Sequence, residues 1–343
     1  MKIFFIVGAA PPIPCGVGDQ VYKLASNIWE KFGADIVFYT YYNPLIKSKE
    51  NFKVYFFSNS KIRFYIKLIW ILFKERPLVA HISYPNRGFT FNYPYFITLF
   101  LKMFAKKTLI TFHEVPQKKS RIKNFFLKDL PDTIVLVREE LVKEMKLKKF
   151  QIITNFSSIP ISEMSVSDSL SLKTRIAKGK KLCSHFGFIS FYRGVDSLFD
   201  ILDPTEYHLL IIGSLDNSEY SMLIQKKIWS NGWVGNVTVT EYLDDKTIAD
   251  LLFASDVVIL PFREGSHEAN TSTKAATIQG TYLITTSKER HGYDDKKNVF
   301  YAEPENNEEI KNALKKEIVK FPKLYISDDS LDSISKLYYQ LFN

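Results

Sequence analysis

Residues 181–213 begin Lys181-Leu182-Cys183-Ser184-His185-Phe186-Gly187-Phe188-Ile189-Ser190-Phe191-Tyr192-Arg193-Gly194-Val195-Asp196 and end Tyr207-His208-Leu209-Leu210-Ile211-Ile212-Gly213. The first apolar run predicts a strand over 181–188. The spacing after Arg193 predicts a helix over 195–202, and the closing run a strand over 207–212. Read onward, helices at 219–229, 246–254 and 273–279 alternate with strands at 237–240, 257–260 and 282–285, before helices at 307–321 and 331–341. Read back toward the start, strands at 2–7, 35–41, 52–57, 78–83, 108–112 and 133–137 alternate with helices at 21–32, 62–73, 93–104 and 139–147. Such alternation predicts parallel sheets with helices on both faces. Residues 161–180 are dominated by Ser, Lys and Asp and lose the strand pattern, so a linker or mobile loop is expected there. The expected fold class is α/β, with two Rossmann-like, doubly wound parallel-sheet domains facing a central cleft. The first domain spans 1–165, the second 166–325, and a helix within 326–343 crosses back to the first. Ligands of such sheets bind beyond the carboxyl ends of the strands, so the cleft is the expected site.

The chain has 343 residues, 46% of them hydrophobic, with 28 Phe and 19 Tyr. That is ample core for two domains and argues against disorder. Cys15 and Cys183 lie far apart and no CxxC spacing exists, so both are expected as buried apolar side chains in a reducing compartment. The opening Met1–Gly8 reads as a first strand rather than a signal peptide. No apolar run reaches the ~20 residues of a membrane span. The expected location is cytoplasmic, peripheral at most on the inner face of the plasma membrane.

Net charge is +9, unevenly spread: residues 1–150 hold 25 Lys/Arg against 11 Asp/Glu, and the remainder 21 against 26. A basic first half predicts an anionic partner for that half. Three aromatic-basic stretches, 61–74, 93–107 and 118–128, are candidates for contact with an anionic membrane. The first two read at least equally well as core helices, and 118–128 is the better candidate. No helix-turn-helix, zinc spacing or RNP-like signature supports nucleic acid.

Four segments carry candidate chemistry. Gly16-Val17-Gly18-Asp19 stands before a helix, where glycines let backbone amides reach an anion and Asp19 could cap. Arg193 opens a helix, a poor place for a cation unless it serves an anionic ligand. The loop from Glu264 through Glu268 leads to Thr271-Ser272-Thr273, which opens another helix as a phosphate seat or an ordinary cap. His113-Glu114 lies just past a strand end, where an α/β protein places function. His185 and His208 sit within strands and read as packing. Taken singly, each segment has a plain structural reading that competes with the functional one.

Taken in order, these segments resemble the family 4 glycosyltransferases of the GT-B class over nearly the whole chain. The resemblance rests on Gly16–Asp19, His81-Ile82-Ser83-Tyr84-Pro85, Leu109–Glu114, Phe186–Asp196, Leu209–Gly213, Glu241-Tyr242-Leu243-Asp244-Asp245, Asp256–Phe262, Ser272–Gly280 and Asn298–Pro304. It implies a retaining glycosyltransferase using a UDP- or GDP-type sugar donor, with no cofactor and no metal. The implied acceptor is a glycan or polyprenyl-diphosphate-linked sugar of bacterial surface polysaccharide, of O-antigen or capsule type. His113 and Arg193 are the implied catalytic residues. The implied donor site holds Gly16, Val17, Gly18, Asp19, Ser190, Gly213, Tyr242, Leu243, Glu264, Glu268, Thr271, Ser272 and Thr273. Two positions depart from the family pattern: Ser190 stands where an Arg is usual, and Ala275 where the second of two glutamates is usual. These departures keep two other classes open, a nucleotide-sugar or glycan-binding protein with weak or no activity, and a nucleotide-sugar epimerase.

Overall fold

A computed structural model describes all residues except 12–14, 42–51, 58–59, 85–95, 116–124, 148, 231 and 317–329. Two compact units emerge: Met1–Phe156 with Asp328–Asn343, and Ser157–Ser327. The junction falls earlier than position 165, because Ile159 is buried in the second unit's core and Ser162 is tied there. The Ser162 amide donates to Gln279 Oε1 at 2.9 Å, and its hydroxyl to Asp250 at 2.6 Å.

The first unit runs β1 (Lys2–Ile6), α1 (Gly16–Phe32), β2 (Asp35–Tyr41), β3 (Lys53–Phe57), α2 (Lys61–Glu75), β4 (Val79–Tyr84), α3 (Ile97–Phe104), β5 (Lys107–Phe112), β6 (Thr133–Leu136), α4 (Glu140–Met145) and β7 (Gln151–Ile152). The strands form one parallel sheet in the order β3-β2-β1-β4-β5-β6-β7. Chain direction reverses across the sheet between β1 and β4, the point where such sheets open a crevice. Strand residues are apolar on both faces because helices cover both. Ile3, Phe5 and Leu109 meet Val21, Leu24 and Ile28 of α1. On the other face Tyr39 tilts against Phe64 of α2 at 5.0 Å, and its hydroxyl donates to the Phe64 carbonyl.

The second unit runs α5 (Val166–Ala177), β8 (Lys181–Phe186), α6 (Leu198–Ile201), β9 (Tyr207–Ile212), α7 (Glu219–Ile228), β10 (Val237–Val239), α8 (Asp245–Ala254), β11 (Val257–Leu260), α9 (Thr271–Thr277), β12 (Tyr282–Thr286), β13 (Gly292–Asp294), β14 (Val299–Ala302) and α10 (Asn307–Leu314). Its sheet order is β10-β9-β8-β11-β12-β14-β13, parallel except for the edge strand β13. Here the reversal lies between β8 and β11. The last helix, α11 (Leu331–Phe342), belongs to the first unit. It buries Ile334, Tyr338 and Phe342 against that core, stacks Tyr339 on Phe32 at 4.1 Å, and ties Asp332 to Asn27 at 2.9 Å.

The expected loop over 161–180 is instead mostly helix α5. Its Ser165 cap accepts from the Asp168 amide, and Leu172, Ile176 and Ala177 turn an apolar stripe to the core. The polar residues that suggested a linker are the outer face and cap of this helix. Helix 93–104 is described only from Ile97, and 307–321 only to Leu314, with 93–95 and 317–321 outside the described residues. Of the 118–128 stretch, 118–124 lies outside them, while Phe125–Asp129 forms one π-helical turn. Cys15 and Cys183 are buried and form no disulfide.

Candidate functional site

In the second unit the candidate residues gather at the strand ends beside the β8–β11 reversal. Gly187 follows β8 with φ +131°, and a Cβ there would lie 3.0 Å from Ser272 Oγ and 3.5 Å from Arg193 Nη1. Only glycine leaves those side chains their places. Arg193 closes a short 3-10 turn, Phe191–Arg193, rather than opening a helix. The chain then turns through Gly194 in the left-handed region, where a Cβ would meet the Pro261 carbonyl at 2.2 Å. That turn aims the guanidinium inward, over the Phe262 ring at 4.8 Å, and its Nη1 donates to Ser272 Oγ at 3.1 Å. Burial pushes Arg193 down to about 10. Among the described residues no carboxylate pairs with it; Asp196, three residues on in the chain, is held by Arg263 at 2.7 Å, which also holds Glu305 at 3.2 Å. A desolvated cation without a counter-charge costs several kcal/mol, a cost an anionic ligand removes. His185 lies behind it, with Nδ1 3.1 Å from the Ile259 carbonyl. Burial first and the Arg193 charge second push it down to about 4, so it is neutral.

The remaining second-unit candidates divide. Gly213 is drawn into the site's backbone, since a Cβ there would meet the Gly187 carbonyl at 2.5 Å. Ser272 is buried and accepts from Arg193. The backbone amides of Ser272 and Thr273, expected as a phosphate seat, are engaged here by a side chain. Both amides donate to the side chain of Asn270, at 3.1 and 3.3 Å, and Asn270 rather than Ser272 or Thr271 is the cap of α9. Thr271 opens that helix, and Thr273 Oγ1 is sealed from solvent with no partner. Glu268 Oε1 pairs with Arg290 at 2.6 Å, and both Glu268 and Glu264 are exposed. Tyr242 is exposed, and Leu243 is partly buried against the core. Ser190 precedes the 3-10 turn in extended conformation without a capping bond. Ala275 is fully buried in the core.

In the first unit α1 begins at Gly16, so Gly16-Val17-Gly18 is its first turn and not a preceding loop. The cap position is Cys15, without a side-chain bond. Asp19 is inside the helix, 3.4 Å from Lys23, rather than at the cap. The two glycines differ. Nothing lies within 4 Å of a Cβ built on Gly16, whereas one on Gly18 would meet the Ala9 carbonyl at 2.0 Å. Gly18 lets the helix close on the strand end, and Gly16 leaves the helix N-terminus open.

His113 follows β5 and lines a cavity of about 20 Å³ together with His81, Ser83, Thr111, Thr154 and Tyr338. Alternation along β4 and β5 puts His81 and Ser83, and Thr111 and His113, on one face. His81 Nε2 lies 2.8 Å from Thr111 Oγ1, which lies 2.9 Å from the Tyr338 hydroxyl of α11. His81 Nδ1, Ser83 Oγ, His113 Nε2 and Thr154 Oγ1 are sealed from solvent without protein partners. Burial pushes His113 down to about 4, and burial with the neighbouring His113 pushes His81 down to about 3, so both rings are neutral. A neutral imidazole with an unspent nitrogen offers a hydrogen bond, not a charge.

These strand-end sites on two doubly wound sheets can be set beside solved structures. A glycosyltransferase from Rickettsia africae ESF-5 superposes with TM-score 0.78 at 16% identity, covering 99% of this chain and 97% of that one. HepE of Anabaena, solved with UDP and glucose, superposes with TM-score 0.76 at 14% identity, covering 99% of each chain. WaaG, a glycosyltransferase involved in lipopolysaccharide biosynthesis, gives TM-score 0.65 at 14% identity, covering 98% of this chain and 95% of that one. The chain has the GT-B fold. No family profile and no curated protein matches the sequence. Gly187, Asn270, Arg263, His81, Thr111 and Tyr338 surround the candidate residues without being expected as candidates themselves. Two signals pointed to some of them: Asn ahead of Thr-Ser-Thr is a cap pattern, and His81/Ser83 keep the two-residue period of a strand face.

Proposed function

We propose that the chain is a family 4-like glycosyltransferase that moves a sugar from a UDP- or GDP-type donor to a glycan or polyprenyl-diphosphate-linked acceptor. The reading includes retention at the anomeric carbon, no requirement for a metal ion, and a place in bacterial surface polysaccharide assembly. One observation carries it: Arg193 is half-buried and desolvated with no carboxylate paired to it among the described residues, cradled by Gly187 and Ser272 at the reversal point of the second sheet. A diphosphate supplies the missing charge. As the bond to the sugar breaks, negative charge grows on the departing nucleotide, and a preorganised guanidinium stabilises it without reorganisation. HepE has been solved with UDP-glucose, which supports such a donor on this fold. His113 contributes a neutral hydrogen bond to the sugar, and the basic first unit receives an acceptor held at an anionic membrane surface.

The test is a thermal-shift screen of nucleotide sugars followed by transfer assays. One nucleotide class should stabilise the wild type, by about 2.7 kcal/mol at a hundredfold excess over Kd. Arg193→Ala should lose that stabilisation and at least about a hundredfold in turnover, with Arg193→Lys between. Undiminished turnover in Arg193→Ala sinks the reading. Ala275 where a glutamate is usual and Ser190 where an Arg is usual also fit donor binding without transfer. Tight donor binding with neither transfer nor hydrolysis would favour that second reading.

A further inference from the structure

Helix α2 covers the first sheet with Phe64, Leu68, Ile71 and Leu72, all fully buried. Its opposite face is apolar too. Ile62 is 73% exposed, Ile66 64%, Trp70 50% and Phe73 63%. At about 100° per residue these four fall in one sector about 80° wide, and Arg63, Lys67 and Lys74 line one edge of it. Lys74 Nζ lies over the Trp70 ring at 4.8 Å, so cation and aromatic form one surface. The other edge continues onto α3 through the Tyr65–Phe100 ring contact at 5.4 Å, where Leu99 and Met103 are exposed. The one acid on either helix is Glu75, buried and held by Tyr55, Lys2 and Lys53.

We infer that the α2–α3 face is the membrane-docking surface, and that its occupant is an anionic lipid bilayer. A contiguous exposed apolar stripe on a helix that already fills its core requires an external partner. Apolar and aromatic tips beside a row of Lys and Arg, with no exposed acid on either helix, match a headgroup interface. A protein interface is depleted of lysine at its centre. The excess of 25 Lys/Arg over 11 Asp/Glu in residues 1–150 supplies the same attraction at longer range. This places the membrane contact on α2 and α3; 118–124 of the other candidate stretch lies outside the described residues. The inference builds on the acceptor reading above, but it fails or stands separately from it, because its test uses neither donor nor acceptor.

The experiment is flotation of the full chain with phosphatidylcholine vesicles, with and without phosphatidylglycerol, across a salt series. The wild type should float with the anionic vesicles and detach as salt rises. Ile66→Glu/Phe73→Glu, at exposed positions and checked for native circular dichroism, should lose at least about tenfold in vesicle affinity, since each buried apolar side chain contributes. Arg63→Gln/Lys67→Gln/Lys74→Gln should lose about a hundredfold on anionic vesicles, at the usual contribution per cation. Brominated lipid should quench wild-type fluorescence more than that of Trp70→Phe. Three results would overturn the inference. One is no flotation of the wild type. Another is flotation lost in Lys118→Gln/Lys119→Gln/Lys123→Gln but kept in the Ile66/Phe73 variant. The third is a wild-type dimer in solution that the Ile66/Phe73 variant dissociates, which would make a second copy the occupant.

Discussion

Gly16 and Gly18 share one helical turn and do opposite things. A side chain at Gly16 meets open space, while one at Gly18 drives into the Ala9 carbonyl. Gly18→Ala should therefore lose about 1–3 kcal/mol, the usual cost of overpacking. Gly16→Ala should leave stability unchanged or raised by a few tenths of a kcal/mol, since alanine is the better helix former. Urea titration of the two variants checks the pair. Arg193 shows a similar dependence on its neighbours: its turn and its isolation from acids come from Gly194 and from Arg263. His113 makes a prediction about pH. Because burial holds it near 4, it stays neutral through the physiological range, and kcat/KM should show no limb from it between pH 5.5 and 8. A limb near 6.5 that vanishes in His113→Gln would show that the ring ionises in function.

Among the elements, α11 is the informative one. It lies far along the chain from β4 and β5 yet supplies Tyr338 to the His81–Thr111 chain. Tyr338→Phe removes one buried hydrogen bond and should cost about 1 kcal/mol. Removing 331–343 uncovers the sites of Ile334, Tyr338 and Phe342 and should cost on the order of 5 kcal/mol. Guanidinium unfolding measures both, and a truncated chain with the wild-type midpoint would show that α11 is dispensable to the first core. Element existence and type were largely readable from apolar periodicity. Helix starts were not: α1 begins at Gly16 and α9 at Thr271. Helix entry is set by which side chain takes the free amides, as Asn270 does, and by close packing such as Gly18 on Ala9.

At the scale of the molecule, acid stability follows from buried neutral histidines and the buried carboxylate of Glu75. His81, His113 and His185 are held at about 3 to 4, below their ordinary 6.5, by burial above all. The unfolded chain binds protons there first, so their stabilisation is full above about pH 6.5 and falls as pH drops toward 4. Burial alone would raise Glu75, but hydrogen bonds from Tyr55, Lys2 and Lys53 outweigh it and lower it to about 2. Its contribution is full above the ordinary 4.5 and disappears as pH falls through about 2. Tm should thus decline in two windows, and Glu75→Gln should flatten only the lower one. The second unit is a continuous piece, Ser157–Ser327, with cores on both sheet faces. Residues 157–327 expressed alone should fold cooperatively, as calorimetry or amide NMR will show.

The sequence by itself determined the two α/β units, the order of their strands and helices, and the strand ends where the candidate residues lie. Those features are written in local periodicity, which the backbone geometry of strand and helix imposes directly. Tertiary structure alone decided which candidates meet. It joined Arg193 to Ser272 and Gly187, gave Glu268 to Arg290 and the α9 amides to Asn270, sealed His113 beside His81, and turned a second apolar face of α2 outward. Pairing and desolvation are long-range outcomes of packing. They depend on neighbours brought from distant parts of the chain, which local sequence spacing does not encode.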